Sequence, residues 1–251
     1  MISLKTNKWQ INNIDTVLFD KDGTFIDLHY FWGKMTEMRV SEIIKTFGMP
    51  NSSFARLCLY LGYNIETSKM LKDGITAMYS RPIVIEKFNE KLKDENIITT
   101  DKKIEEIFDY VSSEFYKDIS KYTMPIEPAV DFIKKLKERG IKIGIVTSDA
   151  KESTLLTIKN FKWDNLFDVV IGRESSESTK ESGIPTKMAL EILSANPKTS
   201  IMIGDAPMDY ISAKNAGIEK TILVATGQID EEELKKTSDY TVESLSDVDI
   251  F

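Results

Sequence analysis

Residues 16–24 read Thr-Val-Leu-Phe-Asp-Lys-Asp-Gly-Thr, and this stretch decides the fold. A short apolar run that ends at an acid is typical of a strand buried on both faces. A charged side chain cannot remain inside such a strand, so Asp20 marks the point where the chain emerges. Gly23 indicates a turn directly afterwards. Strands that are buried on both faces belong to parallel sheets, and we predict one here.

The remainder of that sheet is predicted from the C-terminal half of the chain, where apolar runs alternate with amphipathic segments. We predict strands at 141–147, 168–172, 200–205, 220–225 and 240–242. Between them we predict helices at 129–139, 151–161, 188–195 and 209–216. This alternation indicates the α/β class, with a Rossmann-like parallel sheet at the core.

The segment between these two parts has a different pattern, because its apolar residues recur at helical spacing. Ile104, Ile107, Phe108 and Val111 follow the i, i+3, i+4, i+7 rule of an amphipathic helix. Residues 81–96 show a similar pattern. We therefore predict an α/β core made of residues 1–28 and 123–251, interrupted by an inserted all-helical domain at 29–122.

Composition excludes several classes of protein. The chain has 251 residues, a formal net charge of −7, one cysteine and one histidine. A single cysteine forms no internal disulfide, and a single histidine rules out a multi-histidine zinc site. An acidic chain is a poor partner for nucleic acid, and no apolar run is long enough to span a membrane. The first 13 residues lack the apolar stretch of a secretory signal, so we expect a cytoplasmic protein.

Acidic and hydroxyl side chains follow three of the predicted strands. In an open parallel sheet, ligands bind beyond the carboxyl ends of the strands, so these side chains are expected to share one edge. Crowded carboxylates require a cation, and oxygen ligands favour Mg²⁺. The candidate residues at this edge are Asp20, Asp22, Thr147, Ser148, Asp205 and Asp209.

The Asp-x-Asp spacing also allows covalent chemistry. One carboxylate can attack phosphorus and form an aspartyl-phosphate. Its neighbour then protonates the leaving oxygen and later takes a proton from water. Asp20 and Asp22 fit these two roles, because Gly23 permits the bend that brings the second carboxylate around.

Three motifs resemble those of the haloacid-dehalogenase-like hydrolase superfamily, in its phosphatase branch with an inserted helical cap. They are Phe-Asp-Lys-Asp-Gly-Thr at 19–24, Ile-Val-Thr-Ser at 145–148 and Ile-Gly-Asp-Ala-Pro-Met-Asp at 203–209. The resemblance implies that Asp20 is the nucleophile and Asp22 the general acid and base. It also implies that Thr147 binds a phosphate oxygen and that Asp205 and Asp209 hold Mg²⁺. The clustering of oxygen donors adds Asp20 and the backbone carbonyl of Asp22 as candidate ligands.

The superfamily also has a lysine that pairs with the nucleophile and the phosphate, and two residues match it. Lys180 lies in a loop five residues before Pro185, and Lys187 lies in the first turn of the following helix. We favour Lys180 and keep Lys187 as the alternative. Backbone groups of Gly23 and Ser148 complete the expected phosphate site.

These residues predict a Mg²⁺-dependent phosphatase acting on a small phosphorylated metabolite. A phosphomutase would use the same core residues and remains an alternative. A regulatory or binding protein that has lost turnover is a second alternative. Dehalogenation is disfavoured, because the dehalogenating branch lacks an acid at the position of Asp22. The ester used and the oligomeric state are not specified by the sequence.

Overall fold

A computed structural model describes residues 1–251 of the chain. These residues form eleven strands. In chain order they are β1 (Ile2–Lys5), β2 (Gln10–Ile14), β3 (Thr16–Phe19), β4 (Tyr63–Asn64), β5 (Lys69–Met70), β6 (Lys142–Val146), β7 (Val169–Ile171), β8 (Ser200–Gly204), β9 (Thr221–Val224), β10 (Thr241–Val242) and β11 (Asp249–Ile250).

Ten α-helices accompany these strands. In chain order they are α1 (Leu28–Phe47), α2 (Phe54–Tyr60), α3 (Ile75–Met78), α4 (Arg81–Asp94), α5 (Asp101–Lys117), α6 (Glu127–Glu138), α7 (Lys151–Asn160), α8 (Ile184–Ile192), α9 (Pro207–Asn215) and α10 (Glu231–Leu234). None of these helices combines the length and the apolar character that crossing a membrane requires.

The chain divides into two units. The first comprises Met1–Asp27 and Thr123–Phe251, and the second comprises Leu28–Tyr122. The division after Asp27 differs by one residue from the division after residue 28 predicted from the sequence.

The first unit contains a six-stranded sheet in the order β10-β9-β8-β3-β6-β7, in which every neighbouring pair is parallel. Its inner strand β3 is fully buried, and Thr16 is in register with Lys142 of β6 and Ser200 of β8. The α/β class and the parallel core predicted from the sequence are confirmed. Because the strands are parallel, the residues that follow β3, β6 and β8 emerge at the same edge.

The first unit also contains a small antiparallel sheet that the sequence analysis did not predict. Its order is β11-β1-β2, so it joins the two ends of the chain. Ser3 and Phe251 exchange two backbone hydrogen bonds, of 3.1 and 2.9 Å. The sequence signal is weak because these strands are short and β2 alternates irregularly between buried and exposed residues.

The second unit is mostly helical, but the prediction that it is all-helical is wrong. Strands β4 and β5 form a hairpin in which Tyr63 pairs with Met70. The side chain of Asn64 accepts hydrogen bonds from the backbone N–H groups of Glu66 and Thr67, at 2.9 and 3.2 Å. Such side-chain bonds satisfy backbone donors locally and reverse the chain where a helix would otherwise continue.

The core of the first unit is tested by truncating a residue at its centre. Leu18 of β3 is completely buried in a cluster that includes Val146, Leu190 and Met202. We expect Leu18→Ala to lower the free energy of unfolding by about 2–5 kcal/mol, through lost burial and the cavity left behind. Urea unfolding followed by circular dichroism measures this change. Ile192→Ala, at a position 60% exposed on α8, is the matched control and should stay within about 0.5 kcal/mol of the parent. Equal effects of the two substitutions would contradict this description of the core.

Candidate active site

The segment after β3 forms a tight loop at the carboxyl edge of the parallel sheet. The N–H of Asp20 donates to the carbonyl of Ile203 at 2.8 Å, and the N–H of Gly23 donates to Ile26 at 2.7 Å. Gly23 has φ +86°, and a Cβ there would lie 2.4 Å from Oδ2 of Asp205. Glycine is required at this position both for the backbone conformation and for the close approach of Asp205.

Lys180 connects two of the predicted site residues. Its side chain is 4% exposed, and its Nζ forms ion pairs with Oδ1 of Asp20 and, at 2.6 Å, with Oδ1 of Asp209. Asp209 also accepts a hydrogen bond from the N–H of Ala206 through Oδ2, at 3.1 Å, which caps the start of α9. Asp209 therefore combines two interactions, and Lys180 lies between the ends of β3 and β8.

Lys187 is placed differently. It lies on the first turn of α8, its side chain is exposed, and it forms no ion pair. Of the two lysines considered from the sequence, the structure brings Lys180 to Asp20 and leaves Lys187 in solvent. The φ of +76° at Gly183 ends the short turn that carries Lys180 before α8 begins, so the two lysines belong to separate elements.

Asp205 is held in a narrow gap between backbone segments. It is 6% exposed, and a Cβ at Gly227 would come within 1.7 Å of its Oδ2. Gly204, the last residue of β8, leaves similar room for Asp209, because a Cβ there would lie 2.1 Å from Cγ of that residue. The glycines therefore let two carboxylates lie directly against the backbone.

The loop after β6 supplies Thr147, Ser148 and Asp149. Thr147 is buried, and its Oγ1 accepts a hydrogen bond from the N–H of Asp149 at 3.1 Å. The exposed hydroxyl of Ser148 donates to the sulfur of Met208 at 3.6 Å. Thr147 and Ser148 are thus located at the predicted edge of the sheet.

A second buried lysine was missed by sequence reasoning. Lys21 is 0% exposed, and its Nζ lies 2.7 Å from Oδ2 of Asp149 and 2.9 Å from Oδ1 of Asp22. Asp149 lies one residue before the cap position of α7, which Ala150 occupies without a side-chain hydrogen bond. The available signal was a lysine between two acids directly after a buried strand, since a lysine that is buried needs carboxylate partners.

Electrostatics at this edge are dominated by burial and by the repulsion between carboxylates. Burial raises the pKa of Asp20 to about 7, with Lys180 opposing the rise and Asp209 adding to it. Burial, followed by the charges of Asp20 and Asp209, raises the pKa of Asp205 well above its usual range. Each carboxylate makes ionisation of the others less favourable.

The two lysines remain charged despite their burial. Burial by itself lowers the pKa of Lys180, but Asp20 and Asp209 outweigh it and the pKa rises above its ordinary value. For Lys21, the carboxylates of Asp149 and Asp22 likewise outweigh burial and raise its pKa above the ordinary value. The pKa of Asp149 is in turn lowered, because the attraction of Lys21 outweighs the effect of burial.

Taken together, five buried carboxylates and two buried ammonium groups lie at this edge. The carboxylates are those of Asp20, Asp22, Asp149, Asp205 and Asp209. No group of three or more carboxylate, imidazole or thiolate side chains is arranged to hold a metal ion. The excess of buried negative charge and the set of oxygen donors nevertheless suit a hard divalent cation.

Comparison with known proteins identifies the family. Residues 17–224 match the model of the haloacid dehalogenase-like hydrolases. The "Putative pyrophosphatase PpaX" of Caldanaerobacter subterraneus is 32% identical over 92% of this chain and 91% of its own length. The pyrophosphatase PpaX of Halalkalibacterium halodurans is 28% identical over 94% of this chain and 95% of its own.

A similar fold occurs in a solved structure described as "a predicted phosphoglycolate phosphatase" from Haemophilus somnus. The TM-score is 0.69 at 16% identity, and the match covers 94% of this chain and 97% of that one. The chain belongs to the haloacid dehalogenase-like hydrolase family, which confirms the superfamily indicated by the three motifs. The names of the curated relatives agree with its phosphatase branch.

The two lysines provide a test of the site. Removing Lys180 leaves Asp20 and Asp209 buried without their shared cation, so we expect Lys180→Met to lower the free energy of unfolding by about 3–5 kcal/mol. Lys187→Met is the matched control, and we expect a change within about 0.5 kcal/mol. Urea unfolding of both variants at neutral pH, in the presence of a chelator, makes the measurement. If Lys187→Met proved as destabilising as Lys180→Met, the assignment of Lys180 to the site would be wrong.

Proposed function

We propose that the protein is a Mg²⁺-dependent phosphatase that hydrolyses a small phosphomonoester through an aspartyl-phosphate on Asp20. The observation that carries this proposal is the pairing of Asp20, 8% exposed at the end of β3, with the ammonium of Lys180. A buried carboxylate beside a fixed cation is suited to attack an anionic phosphate, because the cation attracts the substrate and offsets the repulsion between the two anions.

In the first step, a carboxylate oxygen of Asp20 attacks phosphorus and forms a new oxygen–phosphorus bond. The bond between phosphorus and the leaving oxygen breaks, and Asp22 donates its proton to that oxygen. In the second step, water attacks the same phosphorus while Asp22 takes one of its protons. The bond to Asp20 breaks, which releases phosphate and restores both carboxyl groups to their starting protonation states.

The other residues at the edge bind and orient the phosphoryl group. We assign the Lys180 ammonium and the Thr147 hydroxyl to its oxygens, with backbone groups of Gly23 and Ser148 beside them. Fixed donors of this kind need little rearrangement as charge develops, and phosphoryl transfer depends largely on such positioning.

Mg²⁺ would be held by the carboxylates of Asp20, Asp205 and Asp209 and by the backbone carbonyl of Asp22. The raised pKa values of Asp20 and Asp205 support this assignment, since a nearby cation keeps such crowded carboxyls ionised. When bound, the ion supplies charge neutralisation for the incoming phosphate. Asp209 is paired with Lys180 in the structure.

Pyrophosphate is a second candidate substrate, because the curated relatives are named as pyrophosphatases. The same attack by Asp20 would apply, with phosphate as the leaving group. A phosphomutase would pass the phosphoryl group to a second substrate hydroxyl in place of water. A binding protein without turnover would retain the fold but release no phosphate. The cytoplasmic location stays a prediction from composition.

A substrate panel with Asp20→Asn tests the proposal. We expect the parent protein to release phosphate from phosphomonoesters or pyrophosphate with Mg²⁺, and a chelator to abolish this release. Asp20→Asn should reduce release to background, because an amide is a poor nucleophile. Asp131→Asn, at an exposed aspartate of α6, is the matched control and should retain activity. Full turnover by Asp20→Asn would exclude the covalent mechanism, and no turnover on any substrate would favour a binding protein.

The intermediate itself is tested by trapping. We expect acid quenching during turnover, followed by borohydride reduction, to convert a phosphorylated Asp20 to homoserine, which peptide mass spectrometry detects. The label should be missing from Asp20→Asn. Product analysis with sugar phosphates as substrates distinguishes a phosphatase from a phosphomutase. An isomerised ester without free phosphate would identify a phosphomutase.

The role of Asp22 has its own expected magnitude. Asp22→Asn cannot donate a proton to the leaving group, so we expect kcat/KM for an alkyl phosphate to fall by about 10²–10⁴-fold. Steady-state phosphate release measures this loss. A loss of less than about threefold would assign the proton transfer to another group.

A further inference from the structure

Lys21 is a buried cation that the proposed chemistry does not use. Its side chain is 0% exposed, while its two carboxylate partners, Asp22 and Asp149, are 11% and 4% exposed. Taking an ammonium group out of water is unfavourable, and an apolar side chain of similar size often replaces a buried ion pair without loss of stability. Stability alone therefore gives no reason for a lysine at this position.

Lys21 connects two of the loops that build the site. It lies between Asp20 and Asp22 in the loop after β3, and Asp149 lies in the loop after β6. Asp149 is fixed in turn, since its Oδ1 accepts from the N–H of Ala150 at 2.7 Å. Its own N–H donates to Oγ1 of Thr147 at 3.1 Å. The position of Asp22 is thus linked, through Lys21 and Asp149, to the residue assigned to the phosphate.

The ammonium is shared between two carboxylates, and this sharing has a consequence for Asp22. At 2.9 Å from Oδ1, Lys21 fixes the orientation of the Asp22 carboxyl group. The charge of Asp149, at 2.7 Å, offsets the charge of Lys21. Asp22 is therefore oriented by a lysine that Asp149 holds in place from the other side.

We propose that Lys21 and Asp149 are positioning residues for Asp22, which hold its carboxyl group in the orientation needed for proton transfer to the leaving oxygen. This inference rests on the proposed function, in which Asp22 is the general acid and base. Neither residue touches the phosphoryl group, and both act through Asp22.

The leaving group of the substrate distinguishes this role from a structural one. p-Nitrophenyl phosphate has a good leaving group that departs without a proton, whereas p-nitrobenzyl phosphate, one methylene longer, releases an alkoxide that needs one. Loss of orientation at Asp22 should harm the second ester more than the first. A general loss of folded or correctly shaped protein harms both equally.

We expect Lys21→Met to lower kcat/KM for p-nitrobenzyl phosphate by about 10–100-fold more than for p-nitrophenyl phosphate, as part of the contribution of a general acid. The loss should fall on kcat, with KM changed by less than about threefold. Asp22→Asn gives the full size of the leaving-group effect. Adding Lys21→Met to Asp22→Asn should not change the ratio further, because coupled residues are not additive. Lys137→Met, at the surface lysine paired with Asp168, is the matched control and should leave the ratio unchanged.

A double variant separates positioning from folding. Asp149→Leu leaves Lys21 with one carboxylate partner instead of two, so we expect a lower Tm. Lys21→Met combined with Asp149→Leu removes both charges, and we expect this double variant to recover most of the lost Tm. The double variant should nevertheless keep the altered leaving-group ratio. This variant also keeps the test available if a single variant fails to fold.

Each result has a defined meaning. If the double variant regains the parental ratio together with its Tm, or if Lys21→Met lowers both esters equally, the positioning role is excluded. If the parent protein releases no phosphate from either ester with Mg²⁺, the proposed function fails instead. It also fails if the Asp20→Asn variant releases phosphate as fast as the parent protein does.

Discussion

The concentration of buried charge at the carboxyl edge of one parallel sheet is the constraint on which the rest of this structure depends. Five carboxylates and two ammonium groups are withdrawn from water there. Charged groups in such surroundings persist only when they are paired. Lys180 pairs with Asp20 and Asp209, and Lys21 pairs with Asp22 and Asp149. The loops after β3, β6 and β8 are thereby fastened to one another by charge as well as by backbone hydrogen bonds.

The two lysines divide four of the five carboxylates into two groups with different properties. The group around Lys180 contains a carboxyl, Asp20, whose pKa burial raises to about 7. The group around Lys21 contains Asp149, whose pKa is lowered, because the attraction of Lys21 outweighs the effect of burial. The first group, with a carboxyl that burial makes hard to ionise, is suited to receive a further cation and an anionic substrate, whereas in the second the lysine already stabilises the charge of Asp149. The two groups are separate because their lysines come from different elements, Lys180 from the short turn before α8 and Lys21 from the loop after β3.

Much of the fold was predictable because its signals are local. The fully buried β3 and β8 are continuous apolar runs that end at Asp20 and Asp205, and parallel topology then brings those residues to one edge. The hairpin of β4 and β5 and the sheet formed by β1, β2 and β11 were missed, because β4, β5 and β11 have only two residues each and β1 and β2 are not continuous apolar runs.

The candidate site was predicted less evenly. Sequence spacing placed the acids and Thr147, but it did not decide whether Lys180 or Lys187 belongs to the site. Burial decided between them, since the Lys180 side chain is 4% exposed and Lys187 lies in solvent. The partnership of Lys21 with Asp149 joins residues 128 positions apart, and no local pattern specifies such a contact. The superfamily itself followed from the motifs, whereas their chemical roles remain predictions.

The position of β3 in the sheet has a consequence for synthesis of the chain on the ribosome. This strand is made early, yet both of its neighbours, β6 and β8, belong to the C-terminal half. At synthesis rates of about 5–20 residues per second, the segment between β3 and its neighbours takes on the order of ten seconds to emerge. The three apolar residues of β3 and its threonine remain unpaired during this interval, while Leu28–Tyr122 emerges as one uninterrupted stretch. Translation therefore favours completion of the second unit before the parallel sheet assembles, and nascent chains expose β3 to chaperones or to other chains in the meantime.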